Sequence, residues 1–423
     1  MEQTKVIIIG GGLAGLYTAA RLEALHIPYV LLEAKSQLGG RISSVPAAGF
    51  DRELGEIAAQ VGDQCANSHD MGPTWIFPHQ QKIQALAAQL EVKLFEQYTA
   101  GDVLYQAPNS TKPRQITGAG AMQLFRVDGG MSQLTQKLHA SIDSKRSKDK
   151  RDQANAQGKI KLEHCVSNIE KDEENGLWTV SGHVAGNKQA LKDSNLEHTS
   201  LGIQASENLS QVLHRFDYNA EHLVLALPPR IIQRDLASNV WGSPLLNQRL
   251  GTVQTWMGAQ AKFVATYPQP FWRDKGLSGQ AFSQVGPMIE MHDASASENN
   301  SFGIFGFIGI PAKQRNQLSE SQLKQACLDQ LAFFYGEDAY SATDCYLKDW
   351  AVDPFCATER DINEPSKHPD FNHRGLDDEL KTLGLHLAGS EFAEQDAGYL
   401  EGALHAADKA VSDIKEAQRI KHN

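Results

Sequence analysis

A glycine-rich turn between a short apolar strand and a helix, at the very start of the chain, limits the possible folds more than any other feature. The strand covers residues 6–9, and Gly10, Gly12 and Gly15 follow with the spacing GxGxxG. Gly10 permits a tight turn, Gly12 lets a pyrophosphate approach the backbone, and Gly15 allows the helix to pack closely on the strand. The free N–H groups at the start of such a helix favour phosphate. The pattern predicts a dinucleotide site in a βαβ unit.

The residues that follow narrow the choice of dinucleotide. A second strand over residues 29–32 ends at Glu33, at the spacing where a carboxylate accepts hydrogen bonds from ribose hydroxyls and disfavours a 2′-phosphate. A second glycine turn, Gly39-Gly40-Arg41, suits another close approach to the pyrophosphate, to which arginine adds charge-assisted bonds. A nicotinamide coenzyme, which must bind and dissociate repeatedly, does not need the second glycine turn. FAD, which is held for long periods, does.

Composition and charge exclude several other classes of function. The formal charge of −11 comes without a basic run that could follow a nucleic-acid backbone, so we expect no nucleic-acid partner. The five cysteines form no CxxC pair and the fifteen histidines have no metal-ligand spacing, which predicts reduced thiols, a cytoplasmic location and no metal. No secretory leader or membrane anchor is expected. The oligomeric state cannot be deduced from the sequence.

The remaining pattern predicts a mixed arrangement of helices and strands. The first helix is expected to bury Leu13, Leu16, Ala20 and Ala24. Further along the chain we expect a helix with Ile83, Leu86, Ala87 and Leu90 on one face, a mobile loop over 141–158, paired strands over 160–166 and 177–184, a polar loop over 188–208, a buried strand over 222–227, strands through 251–310, an amphipathic helix over 318–335, a strand over 385–388 and a helix from about 398 to 417.

Five short runs resemble motifs of one family, in the same order. They are DMGPTW at 70–75, RVDGGMSQL at 126–134, LVLALPP at 223–229, LAGSE at 387–391 and GYLEGA at 398–403. Together with the N-terminal fingerprint they resemble the flavin amine oxidase superfamily, with the monoamine and polyamine oxidases as the nearest relatives. The chain departs from the family where proline replaces the second glycine of the first run, and where an insertion over 51–68 has no counterpart.

The resemblance implies an α/β fold with a discontinuous, Rossmann-like (GR2-type) FAD-binding domain and a mixed α+β substrate domain. The first domain is expected over 1–79, 126–245 and 378–423, and the second over 80–125 and 246–377. The fingerprint and the family motifs assign to FAD the residues Gly10, Gly12, Leu13, Ala14, Gly15, Glu33, Ala34, Lys35, Gly39, Gly40, Arg41, Gly72, Pro73, Thr74, Trp75, Val166, Gly389, Glu391, Gly398, Tyr399 and Leu400.

Two of these assignments carry a specific role. The family position of Val166 implies a backbone contact with adenine, and that of Glu391 implies a bond on the ribitol or phosphate side. The helix that starts near Leu400 is expected to direct its free N–H groups at the N1–C2 edge of the flavin, which carries negative charge when the flavin is reduced.

Three residues resemble the family's catalytic machinery. Lys262 lies in a strand ahead of Pro-Phe-Trp, where the family lysine holds a water against flavin N5, although a mid-strand lysine taken alone usually faces solvent. Trp350 matches a tryptophan that packs on the flavin, and Tyr399 matches one wall of an aromatic pair. The residues expected to form the second wall are missing, which leaves Phe355 as a substitute. Cys356 stands too early in the sequence for the family's covalent cysteine, which favours non-covalent FAD.

The implied reaction is oxidation of a small-molecule amine by hydride transfer to flavin N5, followed by imine hydrolysis and reoxidation by O₂ to hydrogen peroxide. A related FAD-dependent desaturase or porphyrinogen-type oxidase remains an alternative, as does a non-catalytic FAD-binding redox sensor or scaffold. The sequence does not identify the amine.

Overall fold

The computed structural model describes residues 2–46, 68–118, 122–148, 160–184, 214–297 and 301–422. Its strands are β1 Glu2–Ile9, β2 Tyr29–Leu32, β3 Ser44–Pro46, β4 Ser68–Asp70, β5 Leu94–Glu96, β6 Asp102–Gln106, β7 Arg114–Ile116, β8 Phe125–Val127, β9 Ile160–Lys161, β10 His164–Lys171, β11 Trp178–Val184, β12 His214–Leu225, β13 Ala261–Tyr267, β14 Leu277–Ser283, β15 Met288–Asp293, β16 Phe302–Ile308, β17 Asp344–Asp349 and β18 Leu385–Leu387.

The helices are α1 Leu13–Ala24, α2 Gln81–Gln89, α3 Ser132–Lys148, α4 Pro229–Asp235, α5 Ser238–Trp241, α6 Pro244–Thr252, α7 Phe271–Asp274, α8 Ala312–Arg315, α9 Glu320–Tyr335, α10 Glu359–Asn363, α11 Asp377–Leu383 and α12 Leu400–His422. Short 3₁₀ turns cover Glu337–Ser341, Trp350–Val352 and Ser390–Phe392. The predicted insertion over 51–68, apart from Ser68, and the polar segment over 188–208 lie outside the described residues.

The first large sheet has the order β10-β11-β12-β1-β2-β9, with β18 also paired to β12. β1 runs parallel to both β2 and β12, so that Ile8 lies opposite Leu31 and Val224. All four residues of β2 are buried, because helices and loops cover both faces of a parallel sheet. This arrangement confirms the predicted Rossmann-like α/β fold.

Helix α1 packs against this sheet with most of the predicted face, since Leu13 and Leu16 lie in the core and Ala20 packs against it. Leu13, Leu16, Ala19 and Leu22 are buried, whereas Ala24, which was expected in the core, is exposed. Ala24 is the last residue of the helix and lies beyond Leu22, the last helical residue in the core. The predicted burial of Ala24 is therefore wrong.

The second large sheet has the order β17-β13-β16-β15-β14-β6-β7 and is antiparallel except where β14 meets β6. Helix α9 covers one of its faces, burying Leu323, Leu331 and Phe334 against Phe263. The helix starts at a capping box in which Ser319 and Gln322 bond each other's backbone N–H groups. The predicted amphipathic helix at this position is confirmed.

Two predicted boundaries are corrected by long-range packing. Residues 141–148 continue helix α3 instead of starting a loop, because Leu134, Leu138 and Ile142 repeat every four residues and are buried in the first core. Strand β12 begins at His214, well before the predicted start at 222, because its polar first half pairs with β11. A polar stretch of this kind shows no apolar pattern in the sequence.

The division into two domains stays a prediction, and two helices lie across its boundaries. Ile83 and Leu86 of α2 pack in the core of the first sheet, although the predicted boundary at 79/80 assigns them to the substrate domain. Leu246 and Leu250 of α6 likewise pack beneath the first sheet, beyond the predicted boundary at 245/246.

The first prediction concerns the contact between α1 and β1. A Cβ at Gly15 would lie 1.9 Å from the carbonyl oxygen of Gly10, a clash that the backbone cannot relieve without moving the helix. We expect Gly15→Ala to lower the free energy of unfolding by more than about 2 kcal/mol. Thermal unfolding of the cofactor-free protein measures the change. Gly12→Ala is the control, because its nearest contact would be 3.8 Å away, and an equal loss of stability in both variants would contradict the prediction.

Candidate active site

A cavity of about 880 Å³ is lined by residues of both large sheets. Most of the residues that the sequence assigned to a site line it, and they come mainly from the N-terminal fingerprint and from the family motifs at 70–75, 387–391 and 398–403, whereas the run at 126–134 contributes none. They are Gly10, Gly12, Leu13, Ala14, Glu33, Ala34, Lys35, Gly39, Gly40, Arg41, Gly72, Pro73, Thr74, Trp75, Val166, Lys262, Trp350, Gly389, Gly398, Tyr399 and Leu400. The two others, Gly15 and Glu391, support this lining from behind.

The N-terminal turn presents backbone to the cavity. Gly10 has a φ of 105°, and a Cβ there would lie 2.6 Å from the carbonyl oxygen of Ala226. Helix α1 starts after Gly12, which has no side chain to cap it, so the first N–H groups of the helix lack a side-chain acceptor. Gly12 also forms an isolated bridge with Gly39 of the second turn. The two glycine turns thus form one backbone cradle with a positive helix end.

Glu33 is held rigidly at the end of β2. Its Oε2 accepts from the backbone N–H of Gly11 at 2.6 Å and its Oε1 from that of Lys35 at 2.8 Å. Burial raises the pKa of Glu33, and these two N–H groups act against the rise. Each carboxylate oxygen has a further lone pair, so the group is suited to accept hydrogen bonds from vicinal hydroxyls.

Arg41 and Glu391 form a bidentate ion pair between the two ends of the chain. Arg41 Nη1 lies 2.6 Å from Oε1 and Nη2 lies 2.9 Å from Oε2, and the backbone N–H of Trp256 donates to Oε1 at 3.0 Å. Burial alone would raise the pKa of Glu391, but Arg41 more than offsets it and the pKa lies below the ordinary value. The carboxylate therefore fixes Arg41, which lines the cavity, and a direct bond from Glu391 to the cofactor stays a prediction.

Lys262 is buried, whereas a lysine in the middle of a strand usually faces solvent. Only 2% of it is exposed, and its Nζ donates to the carbonyl oxygen of Gly72 at 3.2 Å and to Thr74 Oγ1. Nζ also lies 4.2 Å from the centre of the Phe305 ring. Burial lowers the pKa of Lys262 to about 7, with Asp70 acting against this shift. The amine can therefore change its protonation state near neutral pH.

Three rings surround Tyr399, and none of them was expected from the sequence. The ring centre of His368 lies 5.6 Å away, that of Phe77 5.8 Å and that of Trp256 6.0 Å. Phe355, the substitute considered from the sequence, instead lies beside Lys35, whose Nζ is 5.8 Å from its ring centre. No local pattern signals the role of Trp256, because it reaches Tyr399 only through tertiary packing.

Trp350 and Cys356 complete the cavity wall. Trp350 Nε1 donates to the carbonyl oxygen of Met71 at 3.1 Å, which fixes the indole to the segment that also binds Lys262. Cys356 is buried, and burial raises the pKa of its thiol to about 11. The cytoplasmic location inferred from the cysteines stays a prediction.

In the described ranges of the chain, no three His, Cys, Asp or Glu side chains converge as metal ligands. No helix in the same ranges combines the length and apolarity needed to span a bilayer.

Comparison with known proteins decides the family. Residues 111–415 match the family model of flavin containing amine oxidoreductases, and residues 8–90 match that of the NAD(P)-binding Rossmann-like domain. The chain belongs to the flavin-containing amine oxidoreductase family. Its cofactor is accordingly a flavin.

Individual relatives are distant but match over the full length. The chain is 25% identical to a probable flavin-containing monoamine oxidase A of Dictyostelium discoideum, covering 97% of each chain. It is 23% identical to putrescine oxidase of Kocuria rosea, covering 97% of this chain and 94% of the relative. A solved structure of putrescine oxidase bound to putrescine has a TM-score of 0.69 at 17% identity, over 98% of this chain and 99% of the other.

The second prediction concerns the buried ion pair. Glu391→Gln leaves the Arg41 guanidinium without a compensating charge, so we expect the free energy of unfolding at pH 7 to fall by about 3 kcal/mol. The deficit should shrink as the pH falls below the ordinary glutamate value of 4.5, because Glu391 of the unfolded wild-type chain then binds a proton that the folded chain binds only at lower pH. Chemical denaturation at several pH values measures this. Glu337→Gln, at an exposed site, is the control, and a deficit that does not depend on pH would contradict the account.

Proposed function

We propose that this protein oxidises a small-molecule amine, using FAD bound non-covalently in the cavity and O₂ as electron acceptor. The observation that carries the proposal is the shared cavity. It brings the N-terminal glycine cradle, the start of α12 and the buried Lys262 to a single site. The glycine cradle is suited to bind a dinucleotide. A lysine whose pKa is lowered is suited to transfer protons in the same cavity.

The residues present fit FAD. Glu33 would accept from the adenosine ribose, while the start of α1 and Arg41 would bind the pyrophosphate. A Cβ at Gly40 would lie 3.1 Å from Gly12 Cα, so that only glycine leaves the cradle open. A β-bulge at Ser167 interrupts the pairing of β10 with β11 next to Val166, at the proposed adenine end.

When bound, FAD would supply the two-electron redox chemistry needed to oxidise the carbon beside the amine nitrogen, with O₂ as the final electron acceptor. The protein contributes position and proton control. Thr74 and the carbonyl of Gly72 orient Lys262 Nζ, and above pH 7 the neutral amine can accept a hydrogen bond from a water or take up a proton. The rings of Tyr399 and Trp256 present π faces to the substrate nitrogen.

The protonation state of Cys356 supports the proposal of non-covalent binding. A thiol attacks an electrophile as its thiolate, and a pKa raised to about 11 keeps this thiol protonated at neutral pH. Cys165 also lines the cavity, and burial raises the pKa of its thiol as well, so both cysteines are poorly suited to form a bond with the flavin.

The third prediction tests the activity. The yellow holoprotein is mixed anaerobically with a panel of primary amines, secondary amines and diamines. At least one amine should bleach the visible band of oxidised flavin. Admission of air should restore the band and release hydrogen peroxide in equal amount. If no amine bleaches a fully FAD-loaded protein, the proposed function is wrong.

The fourth prediction assigns the role of the lysine. Lys262→Met should retain FAD but lower turnover about 10²- to 10⁴-fold, because a positioned proton-transfer group is lost. In the wild type, turnover should rise with pH through about 7 as Lys262 loses its proton, and the variant should lack this rise. Lys313→Met, which changes an exposed lysine, should keep it. A variant of Lys262 with an unchanged pH profile would contradict the assignment.

A further inference from the structure

One carboxylate lies on the same wall of the cavity as Lys262. In the second sheet, Phe307 of β16 pairs with Lys262 on one side and with Glu290 of β15 on the other. Residues directly opposite each other in a sheet share a face, so the three side chains form one row. All three line the cavity. Two strand spacings, about 10 Å, separate the Cα atoms of Lys262 and Glu290.

A β-bulge turns Glu290 towards the cavity. Met288 lies opposite Ile308, and Glu290 lies opposite the very next residue of β16, Phe307, so Ile289 is an extra residue in its strand. Met288 and Ile308 belong to the core beneath α9, on the other face of the sheet. With regular alternation, Glu290 would share the face of Met288. The extra residue places it on the cavity face instead, and such bulges often redirect a side chain at a functional site.

His292 fixes the carboxylate. Its Nε2 lies 2.6 Å from Glu290 Oε1, and among the described residues this is the hydrogen-bond contact of that carboxylate. The imidazole is itself held by two rings, with its centre 4.7 Å from Trp75 and 5.4 Å from Phe305. The Glu290 side chain is 37% exposed, so it is accessible to a ligand while its position is fixed.

The other acidic residues that line the cavity are already accounted for. Glu33 accepts two backbone N–H groups at the end of β2, and Asp235 pairs with Arg234 beside the first sheet. Both lie at the proposed dinucleotide end, because Glu33 directly follows β2 and Asp235 is the last residue of helix α4. Glu290 is thus the acidic group that the second sheet contributes to the cavity lining.

We propose that Glu290 binds a second positive charge on the amine substrate, so that the enzyme prefers diamines to monoamines. The reacting nitrogen would lie near Lys262, the methylene chain would cross the Phe307 ring, and the distal ammonium would bind Glu290. The apolar middle and the charged end match a short α,ω-diamine. His292 is a positioning residue that acts through Glu290. This proposal rests on the proposed amine oxidation.

The test compares diamines of three to six carbons with n-alkylamines of the same length. Glu290→Gln should lower kcat/KM for the best diamine about tenfold to a hundredfold, chiefly through KM, since a charge-assisted bond is lost. It should leave kcat/KM for the matching monoamine within about twofold. Glu337→Gln carries the same change in net charge at an exposed site, and it should change kcat/KM for neither the diamine nor the monoamine.

The outcomes separate the two proposals. If the wild type oxidises monoamines and Glu290→Gln affects both substrate classes equally, the subsite is wrong while amine oxidation stands. If FAD-loaded wild type oxidises no amine, the proposed function itself fails. His292→Gln should raise the KM for the diamine by less than Glu290→Gln does, and a larger effect would overturn the positioning role.

Discussion

The ion pair between Arg41 and Glu391 is the interaction on which the site depends. It joins residues that are 350 positions apart and thereby fixes the N-terminal nucleotide unit to the turn that precedes α12. Both carboxylate oxygens take part, and the backbone N–H of Trp256 adds a third donor from the segment that leads into β13. Three distant parts of the chain are thus held around one cavity. A site built from both sheets requires that these three parts stay together.

The second organising feature is the balance at Lys262 between the desolvation of its ammonium group and the contacts that stabilise it. Removal of a lysine from water destabilises its charged form, which is why its pKa falls to about 7. Thr74 and Gly72 accept its hydrogen bonds, and Asp70 supplies an opposing charge, so the side chain remains ordered although it is buried. The same burial that reduces stability gives the group a protonation change in the range where an enzyme works. Stability and reactivity are therefore coupled at this residue.

The sequence predicted those parts of the fold that depend on local pattern. The strand–turn–helix at Gly10 to Gly15 and the carboxylate at Glu33 were readable because each step depends on neighbouring residues. Ala24 was misassigned because the buried face of a helix depends on the sheet it meets. Residues 141–148 were misassigned because their polar composition conceals Ile142, which continues the buried spacing of Leu134 and Leu138.

The parts of the site that could not be predicted depend on tertiary register. Trp256 meets Tyr399 because Gly398 leaves room for it: a Cβ there would lie 2.7 Å from the indole. Glu290 reaches the cavity through one extra residue in β15, which no alternation pattern reveals. Glu391 belongs to a family motif, yet its position behind Arg41 is established only by the three-dimensional structure. The family motif predicts the place of Glu391 in the chain, whereas the contacts of Trp256, Glu290 and Glu391 depend on the three-dimensional fold.

A crystal structure of the purified yellow protein tests the central claim most directly. The account predicts one FAD along the cavity, with its ribose at Glu33, its pyrophosphate at the glycine cradle and Arg41, and its ring system beside Lys262. Density for the flavin at any other place on the chain, or a ring system remote from Lys262, would contradict it.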